Sequence, residues 1–186
     1  MNDYLHIYLE YMNPSLKYVL LEEFRRDVLK YTDFIETHII QNYLSHTEYF
    51  AIHLRCGDGF LRGGGGGGGG ENRVKSLDIE QRIEDSATYL SGAQNESTPG
   101  APIYFFCDNE TIREHYAQKY GFLYFPTKII HIADAADASA AAAAAVIDSF
   151  CEFVILGRAK CVVALTKSNF SYVSSLIGGA EYVYMR

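Results

Sequence analysis

Apolar residues in this chain fall into short continuous runs separated by longer stretches of mixed polarity. Tyr49 to Leu54, Pro102 to Cys107, Phe122 to Phe125, Lys128 to Ile132, Cys161 to Leu165 and Tyr182 to Met185 are nearly unbroken apolar runs. A strand covered by helices on both faces of a parallel sheet has this texture, because neither row of its side chains meets water. Between most of these runs the apolar period lengthens to that of a helix, over residues of about 77–90, about 110–120, about 140–158 and about 169–177. Gly121 closes the second of these stretches and Gly178 with Gly179 the last, as glycine does where a helix ends in a left-handed residue. Strand and helix therefore alternate. The alternation predicts an α/β fold, a Rossmann-like, mainly parallel sheet flanked by helices.

Upstream, Asn13 and Pro14 form a helix-start signal, and Leu16, Val19, Leu20, Phe24 and Val28 follow at helical spacing. Asp33 with Glu36 has the form of a capping box that opens a second helix. Residues 1–47 thus read as a helical N-terminal segment and 48–186 as the α/β domain. Eight consecutive glycines, Gly63 to Gly70, interrupt the domain as a flexible run without the Lys-Ser or Lys-Thr of a phosphate-binding loop. The alanines Ala140 to Ala145, in contrast, have the highest helix propensity available and belong to a helix.

The 186 residues suit one domain with a proper core. A formal net charge of -7, with scattered Lys and Arg, argues against a nucleic-acid partner. No apolar run reaches the length of about 18–20 residues that a membrane helix needs, and the first ten residues lack a signal-peptide pattern. The expectation is a chain without a membrane segment. Cys56, Cys107, Cys151 and Cys161 show no C-x-x-C spacing and read as buried free thiols in a reducing compartment.

Ligands of open parallel sheets bind beyond the carboxyl ends of the strands. Three such ends are polar here. The first carries His53, Arg55, Gly57 and Asp58, the second Asp108, Asn109 and Glu110, and the third Ser168, Asn169, Phe170 and Ser171. His53 and Arg55, two apart, share a strand face, and an Arg fork with a His donor suits phosphate oxygens. The alternative is an Arg55–Asp58 pair across a tight turn, with His53 a satisfied core histidine. Ser168, Asn169 and Ser171 stand where a helix begins and either hold an anion or simply cap it. Asp108 and Glu110 cap the helix that follows or touch a ligand. Asp148 and Glu152 share a helix face, as a polar stripe or as acceptors for a base such as guanine. An Asp-x-Asp motif is missing, as are G-x-G-x-x-G, Gly-Lys-Ser/Thr and G-x-S-x-G. Their absence disfavours a metal-dependent transferase site, and equally dehydrogenase, P-loop and hydrolase chemistry.

Ala51-Ile52-His53-Leu54-Arg55-Cys56-Gly57-Asp58 resembles the H-x-R-x-G-D signature of the fucosyltransferase superfamily, which includes α-1,2-, α-1,6- and protein O-fucosyltransferases. Ile103 to Glu110 resembles the second motif of that superfamily. Glu152 to Leu165, followed by Ser168-Asn169-Phe170-Ser171, resembles the third. The resemblance spans residues 48–180 in the family's order. It implies the C-terminal, donor-binding domain of a GT-B glycosyltransferase that transfers fucose from GDP-fucose to a glycan or protein acceptor by inverting displacement. By the same resemblance no metal and no cofactor beyond the donor are needed. Arg55 would bind the diphosphate with His53 beside it, Gly57 and Asp108 would line the donor site, Glu152 would contact guanine, and Ser168 to Ser171 would contact phosphates or sugar. Asp58 is the candidate general base.

Cys56 stands where relatives have a second Arg or similar residue, and Glu152 where many have Asp. Only about 47 residues precede the first motif, whereas a GT-B enzyme has two domains of about 100–200 residues, so an acceptor domain is expected to be missing or reduced. Two alternatives follow: a noncatalytic nucleotide-sugar-binding module, or a transferase of this fold that uses another nucleotide sugar. The expected compartment is the cytoplasm, or the Golgi or endoplasmic reticulum lumen for a trimmed chain. The chain has 15 Tyr and 11 Phe but no Trp to stack on a glycan, so most of these rings are expected in the core.

Overall fold

The computed structural model describes Thr37, Ile39 and residues 48–56, 76–93, 98–127 and 140–185. The expectations for two helices before residue 45, for Gly57, Asp58 and the glycine run, and for a strand at Lys128 to Ile132 fall almost wholly outside these residues.

Among the described residues from 48 onward, four strands and four helices follow the predicted alternation. They are β1 (Phe50–Leu54), α1 (Ser76–Ala93), β2 (Ile103–Cys107), α2 (Glu110–Tyr120), α3 (Ala140–Arg158), β3 (Cys161–Ala164), α4 (Asn169–Gly178) and β4 (Glu181–Tyr184). All pairings are parallel, in the order β2-β1-β3-β4. In register, His53 lies between Phe106 of β2 and Ala164 of β3.

Each central strand is buried along its length, and its alternate residues feed two separate cores. Phe50, Ile52, Leu54, Phe105, Cys107, Cys161 and Val163 pack with Ile79, Ile83 and Leu90 of α1 and Tyr116 of α2. Tyr49, Ala51, Tyr104, Phe106 and Val162 pack with Cys151, Ile155 and Leu156 of α3 and with Ala159 just past its end. Helices α3 and α4 make the most extensive contact between any two of these elements, and α4 also packs on β3 and β4. The sheet is thus sandwiched between helix layers, α1 and α2 on one face, α3 and α4 on the other. This is the Rossmann-like arrangement that the apolar runs predicted.

Local signals set several boundaries. Gly121, at φ 71°, ends α2 in the left-handed region, and Gly179, at φ 85°, does the same for α4. Each glycine amide donates to a carbonyl of the last helical turn.

Phe122 to Phe125 departs from expectation, since only Leu123 pairs with β2, through one isolated bridge to Tyr104. The turn at Gly121 on one side and Pro126 on the other leave room for a single ladder step: Phe105 donates to the Leu123 carbonyl and Leu123 to that of Ile103. Phe125 and Phe122 are apolar because they enter the two cores, not because they belong to a strand. Among the described residues no helix is long and apolar enough to cross a membrane.

Candidate functional site

The chain passes from β1 to β2 on one side and then returns to place β3 on the other. The strand order therefore reverses at β1, which opens a crevice between the carboxyl ends of β1 and β3. His53 and Arg55 stand at that end of β1, and Thr166 at that of β3. The Thr166 hydroxyl bonds twice to Arg55, accepting from its amide at 2.8 Å and donating to its carbonyl at 3.1 Å. Thr166 thus holds the backbone that carries the guanidinium. It lies just before Ser168 in the chain, but no spacing rule marks it as a partner of a residue 111 positions away.

Arg55 pairs with Asp108 at the end of β2, Nη1 to Oδ2 at 3.1 Å. The other Asp108 oxygen accepts from the Cys56 amide at 2.6 Å. Of the two readings of Asp108, capping of α2 is not seen: Asn109 is the cap, and its side chain accepts from the Ile112 amide. With the cap supplied by Asn109, the Asp108 carboxylate is turned to the β1 end. Glu110 lies exposed in the first turn of α2.

His53 is 4% exposed and points to the α3 and α4 face, stacked on Phe170 with ring centroids 6.0 Å apart. It is not a satisfied core histidine, because its Nδ1 is buried without a hydrogen-bond partner. Burial disfavours the charged ring and lowers its pKa to about 4; Asp108 opposes that shift and Arg55 reinforces it. His53 is therefore neutral at pH 7, held between one cation and one anion.

Phe170 belongs to the first turn of α4 and also meets Phe153 of α3 edge-on. Ser168 occupies the N-cap position in an extended conformation, yet its hydroxyl makes no capping bond. The simple capping expected of Ser168 is thus not seen. Ser171 is fully buried and its hydroxyl donates to the Ser168 carbonyl at 3.3 Å. Asn169 is half-buried at the first helical position. A helix start leaves amide N–H groups without intrahelical acceptors, and here that end lies beside the unpartnered His53.

Glu152 sits in a second cluster. The Thr127 hydroxyl donates to its Oε1, and Arg113 Nη1 approaches the same oxygen at 3.5 Å. Arg113 is 2% exposed and further bonds the Thr127 hydroxyl at 3.2 Å and the Thr127 carbonyl at 2.6 Å. Burial raises the Glu152 pKa, while Thr127 and Arg113 counter it. None of these partners is shared with Arg55 or His53. Arg113 gave no sequence signal beyond its place in an ordinary-looking helix, although it is a fully buried cation.

Of the predicted residues, the structure brings together His53, Arg55, Asp108 and Phe170 with the start of α4, and places Glu152 with Arg113 and Thr127. Three cysteines are buried as expected, but Cys56 is only half-buried and its sulfur lies 3.5 Å from that of Cys107. Cys56, Cys107 and Asp108 are a group whose ligand atoms all fall within 4.8 Å of one another.

No protein-family model matches the chain, and no curated protein does. Among solved structures, the crystal structure of NodZ α-1,6-fucosyltransferase soaked with GDP-fucose is similar at 12% identity and a TM-score of 0.47. The likeness covers 78% of this chain and 41% of that one, so this chain spans well under half of that protein's length.

Proposed function

We propose that this chain is the donor-binding part of a glycosyltransferase that takes a nucleoside diphosphate sugar. The three motifs that resemble the fucosyltransferase superfamily name the donor as GDP-fucose and the reaction as metal-independent inverting transfer to a glycan or protein acceptor. The observation that carries the reading is the unpartnered Nδ1 of His53, buried beside the start of α4 at the reversal point of the sheet and two residues from Arg55.

Departure of the nucleoside diphosphate develops negative charge on a β-phosphate oxygen. A guanidinium paired with Asp108 on a backbone held by Thr166, a helix start and a histidine that gains a proton as phosphate approaches would stabilise that charge where it forms. Arg55 binds the diphosphate, His53 donates to it, and Asp108 positions Arg55. Both partners of Glu152 engage Oε1, so Oε2 is the oxygen that would accept from the donor groups of guanine. Phe170, 36% exposed, offers a ring edge to the ligand.

Calorimetric titration of GDP, GDP-fucose and UDP into the chain and into Arg55→Ala tests the reading. Selective guanine-nucleotide binding that Arg55→Ala weakens at least tenfold, about 1.4 kcal/mol, is expected. A folded chain that binds none of the three overturns it. GDP binding without GDP release from GDP-fucose in the presence of acceptors would instead assign a noncatalytic module, and preference for UDP another donor.

A further inference from the structure

Cys56 and Cys107 close the ends of neighbouring strands. Leu54 is the register partner of Cys107, and Cys56 lies two residues past Leu54, so alternation returns it to the face that Cys107 occupies. Their sulfurs are 3.5 Å apart, a van der Waals contact about 1.5 Å longer than a disulfide bond. Cys107 is 3% exposed, whereas Cys56 is half-buried and reachable from solvent. The Cys56 amide is tied to Asp108, the residue that follows Cys107, so the two strand ends that carry the thiols are held together.

We propose that Cys56 and Cys107 form a reversible intrachain disulfide, a thiol-redox site built into the ends of β1 and β2. The oxidant is a low-molecular-weight disulfide such as oxidised glutathione. The Cys56 thiolate attacks one sulfur of that disulfide, which breaks its S–S bond and releases one glutathione thiolate. The Cys107 thiolate then attacks the Cys56 sulfur of the mixed disulfide, forming the Cys56–Cys107 bond and releasing the second glutathione thiolate. Both cysteine protons end on the released thiolates, so one disulfide is reduced as one forms. The thiol that solvent reaches attacks and the buried one resolves, because Cys107 at 3% exposed is closed to an external disulfide.

The same two cysteines, with Asp108, are a possible cation site. The dithiol chemistry is favoured because both Asp108 oxygens are already engaged, one by the Arg55 guanidinium and one by the Cys56 amide. A divalent ion would have to displace a cation and a backbone donor to use that carboxylate.

The test equilibrates the native chain in glutathione buffers of rising oxidised fraction, then alkylates free thiols under denaturing conditions and maps the peptides by mass. The expected result is a species two hydrogen atoms lighter, with Cys56 joined to Cys107 and Cys151 and Cys161 alkylated, fully reversed by excess reduced glutathione. Cys56→Ser abolishes it, and Cys107→Ala, read on chain shown to be folded by circular dichroism, leaves Cys56 as a stable mixed disulfide with glutathione. Four alkylatable thiols at every buffer composition would overturn the proposal. So would stoichiometric zinc in the reduced chain that Cys56→Ser removes, since that assigns the sulfurs to a metal.

Discussion

Gly178 of α4 rests directly on the backbone of Gly157 in α3: a Cβ on Gly178 would collide with the Gly157 carbonyl group, and one on Gly157 with the carbonyl of Ser174. The two helices meet backbone to backbone, and the Ser174 hydroxyl closes the crossing by donating to the Phe153 carbonyl. This contact places the first turn of α4, with Phe170, over the carboxyl end of β1.

Gly178→Ala should therefore destabilise the domain by about 1–3 kcal/mol, the usual range for overpacking. It should also weaken ligand binding by moving Phe170 away from His53. Gly92→Ala is the control, since Gly92 lies in α1 with open space around its Cα and should gain about 0.4–1 kcal/mol. Urea denaturation of both variants measures the contrast.

Tyr49 closes the same, carboxyl end of α3. Its hydroxyl donates to the Ile155 carbonyl at 2.6 Å, one of the last four carbonyls of the helix, which have no intrahelical acceptor role to fill. Its ring meets Tyr104 edge-on at 5.2 Å, and burial raises the phenol pKa. Tyr49→Phe keeps the ring and removes the donor, so a loss of about 0.5–1.5 kcal/mol is expected in thermal or denaturant unfolding.

The neutral His53 links stability to pH. Its pKa is lowered to about 4 in the folded chain from 6.5 when unfolded, so between these values the unfolded chain binds the extra proton. Stability is then full above pH 6.5 and falls as pH drops towards about 4, by up to about 3 kcal/mol in total. His53→Asn should flatten that part of the profile. A bound diphosphate favours the charged ring, so GDP affinity should rise as pH is lowered through the same window, and His53→Asn should remove that rise as well.

Arg113 and Glu152 should behave as a buried pair. Glu152→Ala leaves a cation that is 2% exposed without its counter-charge, facing only the neutral Thr127 and the Tyr124 ring, at an expected cost of about 3 kcal/mol. Replacing both, Arg113→Met with Glu152→Leu, should recover most of the loss. A double-mutant cycle by chemical denaturation measures the coupling.

Much of this domain was legible in the sequence because its order follows local rules. A strand buried on both faces must be apolar throughout, which is why β1, β2 and β3 stood out as runs. Helices α2 and α4 end where glycine relieves the left-handed turn. The run at Phe122 to Phe125 misled for the same reason: apolar character reports burial, and two rings anchored in opposite cores carry the signature of a strand without its ladder. At the site, His53 and Arg55 were marked by strand periodicity and by their position at a strand end. For Asp108 the sequence left capping and ligand contact both open, since Asn109 next to it is equally able to cap α2, and only the packing decides which carboxylate or amide turns which way.

The sequence by itself determined the alternation of strand and helix, the parallel sheet and the polar strand ends, because hydrophobic periodicity and glycine stereochemistry act over a few residues. Tertiary structure alone decided the order β2-β1-β3-β4, the Arg55–Asp108 pair, the empty hydrogen-bond position of His53, the enclosure of Arg113 by Thr127 and Glu152, and the contact of Cys56 with Cys107. Each of these joins residues far apart in the chain. Ion pairing, desolvation and sulfur contact depend on distance in space, which no spacing along the sequence encodes.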